Sequence, residues 1–349
     1  MTVSLLLGAT LFVVQSFTPG EPVLPPADMQ TEGATPSRSA QPLATVPAAP
    51  AGKVPVPAKG AYLGAYAFPQ GGRRAAIAEF EKKTGRKLAI DHVYYGWADE
   101  FPTDDDKWTV QQGRIPFLNW SSALAKREGQ LQFADIAAGK HDDVIDARAD
   151  DVKAFGSPIF LSFQHEPGRI IGSGPDRAGT SEDYVAAWRH IVERFEARGA
   201  TNVSWVWILT AASYKNGTAG VEAAYPGDDV IDWIGVDGYN GYLCIQGRNW
   251  RTFKTVFKDF YAWAEQRDKP LMVAEWGVTE DPQQPGRKGE WYKETAEALS
   301  DLPRFKALVY FNSAPACENW IDTSESALAG FQELAKHPNL SAVPQNGAR

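Results

Sequence analysis

Beyond Gly60 the chain alternates between short, dense apolar runs and longer stretches in which apolar residues recur at helical spacing, and that unit repeats eight times. The dense runs are rich in β-branched and aromatic residues and read as buried strands over 61–68, 88–95, 115–120, 158–164, 202–209, 230–239, 270–275 and 307–312. Helical spacing marks 73–83, a weak segment near 107–112, then 134–154, 181–198, 250–267, 288–299 and 327–336. Ser181, with Tyr184 and Trp188 following on one face, reads as a helix N-cap. Eight strand–helix units in one domain predict an α/β fold, a closed (β/α)8 TIM barrel. No GxGxxG or phosphate-loop pattern follows a strand, which argues against nucleotide binding.

The pattern is different before Gly60. Val3 to Val14 form an apolar segment of the length of a signal-peptide core, short for a membrane span, with no Lys or Arg before it. Residues 1–17 are therefore expected to be a signal peptide or an uncleaved N-terminal anchor, with a small-residue cleavage site at Val14 and Ser16. Residues 18–59, dominated by Pro, Ala, Ser and Thr, read as a disordered linker. The barrel is expected over 60–342, with a tail at 343–349. A signal followed by a spacer predicts a secreted or cell-surface protein.

With 44% hydrophobic residues and 12 Trp, the 349-residue chain can build a large core. A formal charge of −8 disfavours nucleic acid or an anionic membrane as partner and fits a neutral substrate. The five histidines and two cysteines show no HxH, HExxH or CxxC spacing, so neither zinc ligation nor a histidine-built metal centre is expected. Chemistry carried by carboxylates alone would need neither a metal nor an organic cofactor.

Two of the apolar runs stop at a carboxylate: PIFLSFQHEP (158–167) reaches Glu166 just before Pro167, and PLMVAEWG (270–277) reaches Glu275 before Trp276 and Gly277. On the fourth and seventh strands they would face each other across the barrel's C-terminal mouth, where barrel enzymes carry their chemistry. Retaining glycosidic hydrolysis needs such a pair, one acid/base and one nucleophile, about 5–5.5 Å apart. The bland alternatives are a helix cap or an Arg169 ion pair for Glu166, and a salt bridge to a rim Lys or Arg for Glu275. Ideal strand geometry points His165 to the face opposite Glu166, as a packed histidine or as a contact to a substrate hydroxyl. Tyr239, ending the sixth strand, is placed either to bond Glu275 or as an ordinary rim tyrosine. Trp97, Trp120, Trp207, Trp276 and Trp320, with Tyr239, fall near strand ends and are candidate sugar platforms, while Trp205 and Trp233 read as core. Cys244 follows strand six and Cys317 strand eight, so both loops share the mouth face and a disulfide is possible.

From about Tyr62 to Pro338 the sequence resembles glycoside hydrolase family 26, mostly β-mannanases. The likeness rests on HE (165–166), YPGDDVIDWIGVDGYN (225–240), KPLMVAEWG (269–277) and ALVYFN (307–312). It implies a retaining glycosidase barrel with Glu166 as general acid/base, Glu275 as nucleophile, His165 at the substrate, Tyr239 on the nucleophile and Trp320 flooring the cleavage subsite. The chain departs from the family at Ser162, where members carry Arg, and over Pro167 to Ile170, which border the substrate subsites. A secreted, monomeric endo-β-1,4-mannanase acting on β-linked polysaccharide is the leading expectation. β-Glucan and xylan are alternative substrates, and a non-catalytic glycan-binding barrel is the alternative from another class.

Overall fold

Each of the eight dense runs forms one strand of a closed parallel barrel in the computed structural model, which describes residues 52–67, 71–124, 129–174, 176–314 and 317–344. The strands are β1 (Tyr62–Ala67), β2 (Ile90–Tyr95), β3 (Ile115–Trp120), β4 (Ile159–Phe163), β5 (Val203–Thr210), β6 (Trp233–Asn240), β7 (Leu271–Val278) and β8 (Phe305–Asn312). Each pairs with its sequence neighbour, and β1 closes on β8.

Strand side chains alternate between two cores. Tyr62, Ile90, Phe117, Phe160, Ile208 and Trp233 fill the barrel interior. Leu63, Leu118, Leu161, Trp207, Val236 and Leu308 face outward onto the helices. Gly64 makes room inside, since a Cβ there would come within 2.6 Å of the Ile90 side chain.

The helices are α1 (Arg73–Thr84), α2 (Asp104–Gln111), α3 (Phe133–Ala137), α4 (Asp142–Phe155), α5 (Ser181–Arg198), α6 (Ala219–Ala223), α7 (Phe253–Ala264), α8 (Arg287–Ala298) and α9 (Glu325–Lys336). The single helix expected over 134–154 is two, interrupted at Gly139, whose φ of 77° a right-handed helix does not accommodate. The N-cap of α5 is Thr180 rather than Ser181: its hydroxyl accepts from the Asp183 amide while Asp183 bonds back, a reciprocal box that Ser181 cannot form.

The expected linker ends sooner than residue 59. Val54 is fully buried in the interior cluster, its amide bonds the Ser204 hydroxyl at 2.9 Å, and Lys53 pairs with Asp232 at 2.7 Å. An apolar Val54 amid Pro and Ala gains more by capping the barrel floor than by remaining in water. Residues 1–51, including the expected signal segment and most of the linker, lie outside the described residues. Among the described residues no helix is long and apolar enough to cross a membrane.

Candidate active site

At the end of β4 the backbone departs from strand geometry. Gln164 and Glu166 adopt left-handed φ values of 48° and 51°, a conformation that costs a non-glycine residue on the order of 1 kcal/mol or more. Neighbouring strands hold it: Gln164 donates its amide to the Trp120 carbonyl at 2.7 Å, and Glu166 its own to that of Ile208 at 3.2 Å. The Gln164 side-chain carbonyl accepts from the amide and the hydroxyl of Ser122. Pro167 then opens a short 3-10 turn. This double turn corrects the expectation for His165: its Nε2 lies 3.7 Å from Glu275 Oε1.

A different irregularity aims Glu275. Val236 of β6 pairs with Val273, but Asp237 pairs with Glu275, so β7 carries one extra residue there. Such a bulge re-aims side chains. Ala274 joins the interior cluster, Trp276 the outer one, and Glu275 meets the tyrosines of the mouth.

Both Glu275 oxygens accept phenol hydrogen bonds of 2.5 Å, Oε1 from Tyr94 and Oε2 from Tyr239. No salt bridge to a rim Lys or Arg takes their place among the described residues. Burial pushes the Glu275 pKa up, and the two phenols pull it back toward the ionised form. Burial and the charge of Glu275 push both tyrosines well above their ordinary range, so they remain protonated donors. Glu166 is 7% exposed. Burial first and the Glu275 charge second raise its pKa, against an ion pair from Arg169 Nε to its Oε2. One carboxyl is thus biased toward its proton beside another bonded as an anion. Burial lowers the His165 pKa and favours the neutral ring.

Sequence reading missed three partners. Tyr94 is one. Asp237 is another, a buried third carboxyl with neither oxygen hydrogen-bonded, raised well above its usual range by burial and by both glutamates. The third is an aromatic wall: Tyr66 stacks on Phe311 at 5.1 Å and meets Tyr94 edge-on at 5.0 Å, while Tyr239 meets Phe311 at 5.9 Å. All four rings are half-buried, and flat aromatic surface of this kind suits the apolar face of a sugar. His165, Asp237 and Glu275 place one donor atom each within 4.8 Å of one another, the spacing of a cation site. With both Glu275 oxygens already engaged by phenols, the arrangement suits a carboxylate held for attack better than a metal ligand.

Four expected platforms are core instead. Trp97 stacks on Trp120 at 4.5 Å, and Trp207 packs on Tyr225 and Trp263. Trp276 lies among Phe253, Trp291 and Tyr310, and all four indoles are buried. Trp120, Trp207 and Trp276 occupy outward strand positions under the helices, where apolar area is removed from water rather than offered to a ligand. Trp205 and Trp233 are buried, as expected. Trp320 is half-buried and lines a cleft of about 420 Å³ with Ala67, Phe80, Asn312 and Asp322, beside the ends of β1 and β8.

Two predictions arise here. Tyr94→Phe or Tyr239→Phe each removes a hydrogen bond to a charged acceptor, about 1.5–3 kcal/mol, so kcat/KM should fall roughly 10- to 100-fold. Because each bond lowers the Glu275 pKa, its loss raises that pKa, and the acid limb of the pH–rate profile should move to higher pH. An unmoved limb would contradict the geometry. Cys244 and Cys317 are joined as a disulfide with Cα atoms 5.6 Å apart, tying the loop after β6 to the loop after β8. Closing a span of 73 residues stabilises by up to about 4 kcal/mol in the chain-entropy account. Cys244→Ser with Cys317→Ser should lower Tm by several degrees, and wild type in dithiothreitol should match it in calorimetry.

A parallel barrel presenting two strand-end carboxyls, one bonded as an anion and one biased toward its proton, has the architecture of a glycoside hydrolase. The resemblance to family 26 holds: the profile of glycosyl hydrolase family 26 matches residues 133–262, which include Glu166 and Tyr239. Endoglucanase H of Acetivibrio thermocellus is 33% identical over 267 residues, covering 74% of this chain and 29% of that protein. β-1,3-Xylanase TXYA of a Vibrio species is 30% identical over 184 residues, 51% of this chain and 36% of its own length. The chain therefore spans about a third of the curated relatives it matches. Among solved structures, a GH26 β-mannanase from Bacteroides ovatus superposes with a TM-score of 0.59 at 18% identity, covering 82% of this chain and 92% of that one. The catalytic domain of a GH26 endo-β-1,4-mannanase from Bacillus sp. JAMB-750 does so at 0.58 and 17%, covering 81% and 87%. At such identity these two speak for the fold.

Proposed function

We propose that this chain is a secreted or surface-held, monomeric endo-β-glycanase that cleaves with retention of configuration, without metal or organic cofactor. The observation that carries it is the Glu275 carboxylate, held by Tyr94 and Tyr239 at the barrel mouth beside a Glu166 whose pKa is raised. Glu275 attacks the anomeric carbon as Glu166 gives its proton to the departing oxygen. Glu166, now a base, takes a proton from water, which attacks the same carbon and releases Glu275. Arg169, three-quarters exposed, leaves Glu166 as the proton is taken up.

For the substrate we favour a β-glucan. The support is the 33% identity to a protein named an endoglucanase, together with Ser162 and Pro167 to Ile170 where the mannanase pattern differs. Mannan, the family's commonest substrate under the resemblance, is the second reading. Export is supported by the apolar segment 3–14, the spacer composition after it and the disulfide, a bond that persists in oxidising compartments. The test is reducing-sugar release from mixed-linkage β-glucan, mannan, glucomannan and xylan. Release from β-glucan first supports the assignment, release from mannan alone moves the substrate, and no release from any of them by folded protein overturns the activity.

A further inference from the structure

The segment between β6 and α7 places two guanidiniums on one oxygen. Arg251 Nη2 donates to the Tyr239 carbonyl at 2.6 Å and Arg248 Nη1 to the same carbonyl at 3.3 Å. Tyr239 is also the residue whose hydroxyl holds Glu275, so the pair stands at the rim next to the nucleophile's support. Two like charges converging there repel, and burial adds to the cost: it lowers the pKa of both arginines, and on Arg251 the charge of Arg248 lowers it further. Among the described residues no carboxylate offsets either one. Arg251 Nε is buried without a hydrogen-bond partner.

The surroundings compound the excess. Lys215, in the loop after β5, is depressed by burial, by Arg251 and by Arg248, with Lys258 of α7 adding to this and Asp259 opposing. Arg251 immediately precedes Thr252, the N-cap of α7, whose first turn carries no acidic residue. A helix N-terminus is the positive end of its dipole and favours anions. A protein of net charge −8 thus gathers positive charge on one side of its substrate mouth, with Asp259 its carboxylate counterweight among the described residues.

We propose that Arg248 and Arg251, with Lys215 beside them, form a subsite for a carboxylate carried by the glycan, as on a glucuronosyl unit. This deepens the glycanase reading and rests on it. A carboxylate matches the planar donor fork of a guanidinium, and here it would supply the negative charge the arginine pair lacks.

The test uses the intact chain with two probes, mixed-linkage β-glucan and the same polymer with part of its primary hydroxyls oxidised to carboxylates. Binding is read by retardation in affinity gels and turnover by kcat/KM. The expected result is about tenfold tighter retention by the carboxylated polymer, lost in about 0.5 M NaCl and in Arg248→Gln with Arg251→Gln. Arg248→Gln alone should lose part of it, which guards against misfolding of the double variant. A purely structural role would weaken retention by both polymers alike, and that result, or equal retention by wild type, overturns the subsite. If neutral glucan is cut and the carboxylated form is not preferred, the subsite falls and the hydrolase stands. If neither is cut but the carboxylated form is retained through the arginines, the hydrolase falls and the subsite stands.

Discussion

Glu275→Ala is expected to lower kcat on β-glucan by about 10⁴- to 10⁶-fold, the range seen when an enzyme loses its nucleophile. The effect is large because the residue is committed to one task. A bulge turns it to the mouth, two phenols fix both its oxygens, and burial keeps water from competing for them. Alanine leaves a space in which azide fits, and azide attacking from that side should restore turnover and yield the α-glycosyl azide. The fold should tolerate the change, since it removes a buried charge as well as two hydrogen bonds. Wild-type turnover by Glu275→Ala would remove the nucleophile assignment.

Glu166→Ala should cost about 10²- to 10⁴-fold on polysaccharide, the usual worth of a general acid. On an aryl glycoside with an activated leaving group the first step needs no proton, so the covalent intermediate should accumulate and KM should fall with kcat. The pH profile separates the two glutamates. Activity requires Glu275 ionised and Glu166 protonated, so the acid limb belongs to Glu275 and the alkaline limb to Glu166. Burial raises both, the phenols draw Glu275 back down, and the Glu275 charge pushes Glu166 further up. Loss of Glu166 should therefore abolish the alkaline limb and leave an acid limb.

The strands were legible because a parallel strand covered on both faces reads as an apolar run, and all eight runs formed one. The two glutamates were legible for the complementary reason, that a carboxylate ending such a run needs a polar destination. How they reach the mouth was not. Gln164 and Glu166 are not glycines and give no sign of left-handed backbone, and the extra residue in β7 has no marker of its own. That bulge also explains Trp276, which unbroken alternation groups with the inward Met272 and Ala274. Trp207 was readable as core, since its neighbours Val206 and Ile208 fill the interior and alternation sends it outward. The same alternation would have found the aromatic wall: Tyr66, Tyr94 and Phe311 each lie two residues beyond an inward position, at Gly64, His92 and Val309. Asp237 and the paired arginines depend on loop and register geometry that spacing does not encode.

The most direct test of the central claim is the anomer first released from mixed-linkage β-glucan, followed by proton NMR before mutarotation. Two carboxyls acting as nucleophile and acid/base predict that the β-anomer appears first and the α-anomer grows in later. Initial release of the α-anomer would mean water attacks directly, and Glu275 would then be a base rather than the nucleophile.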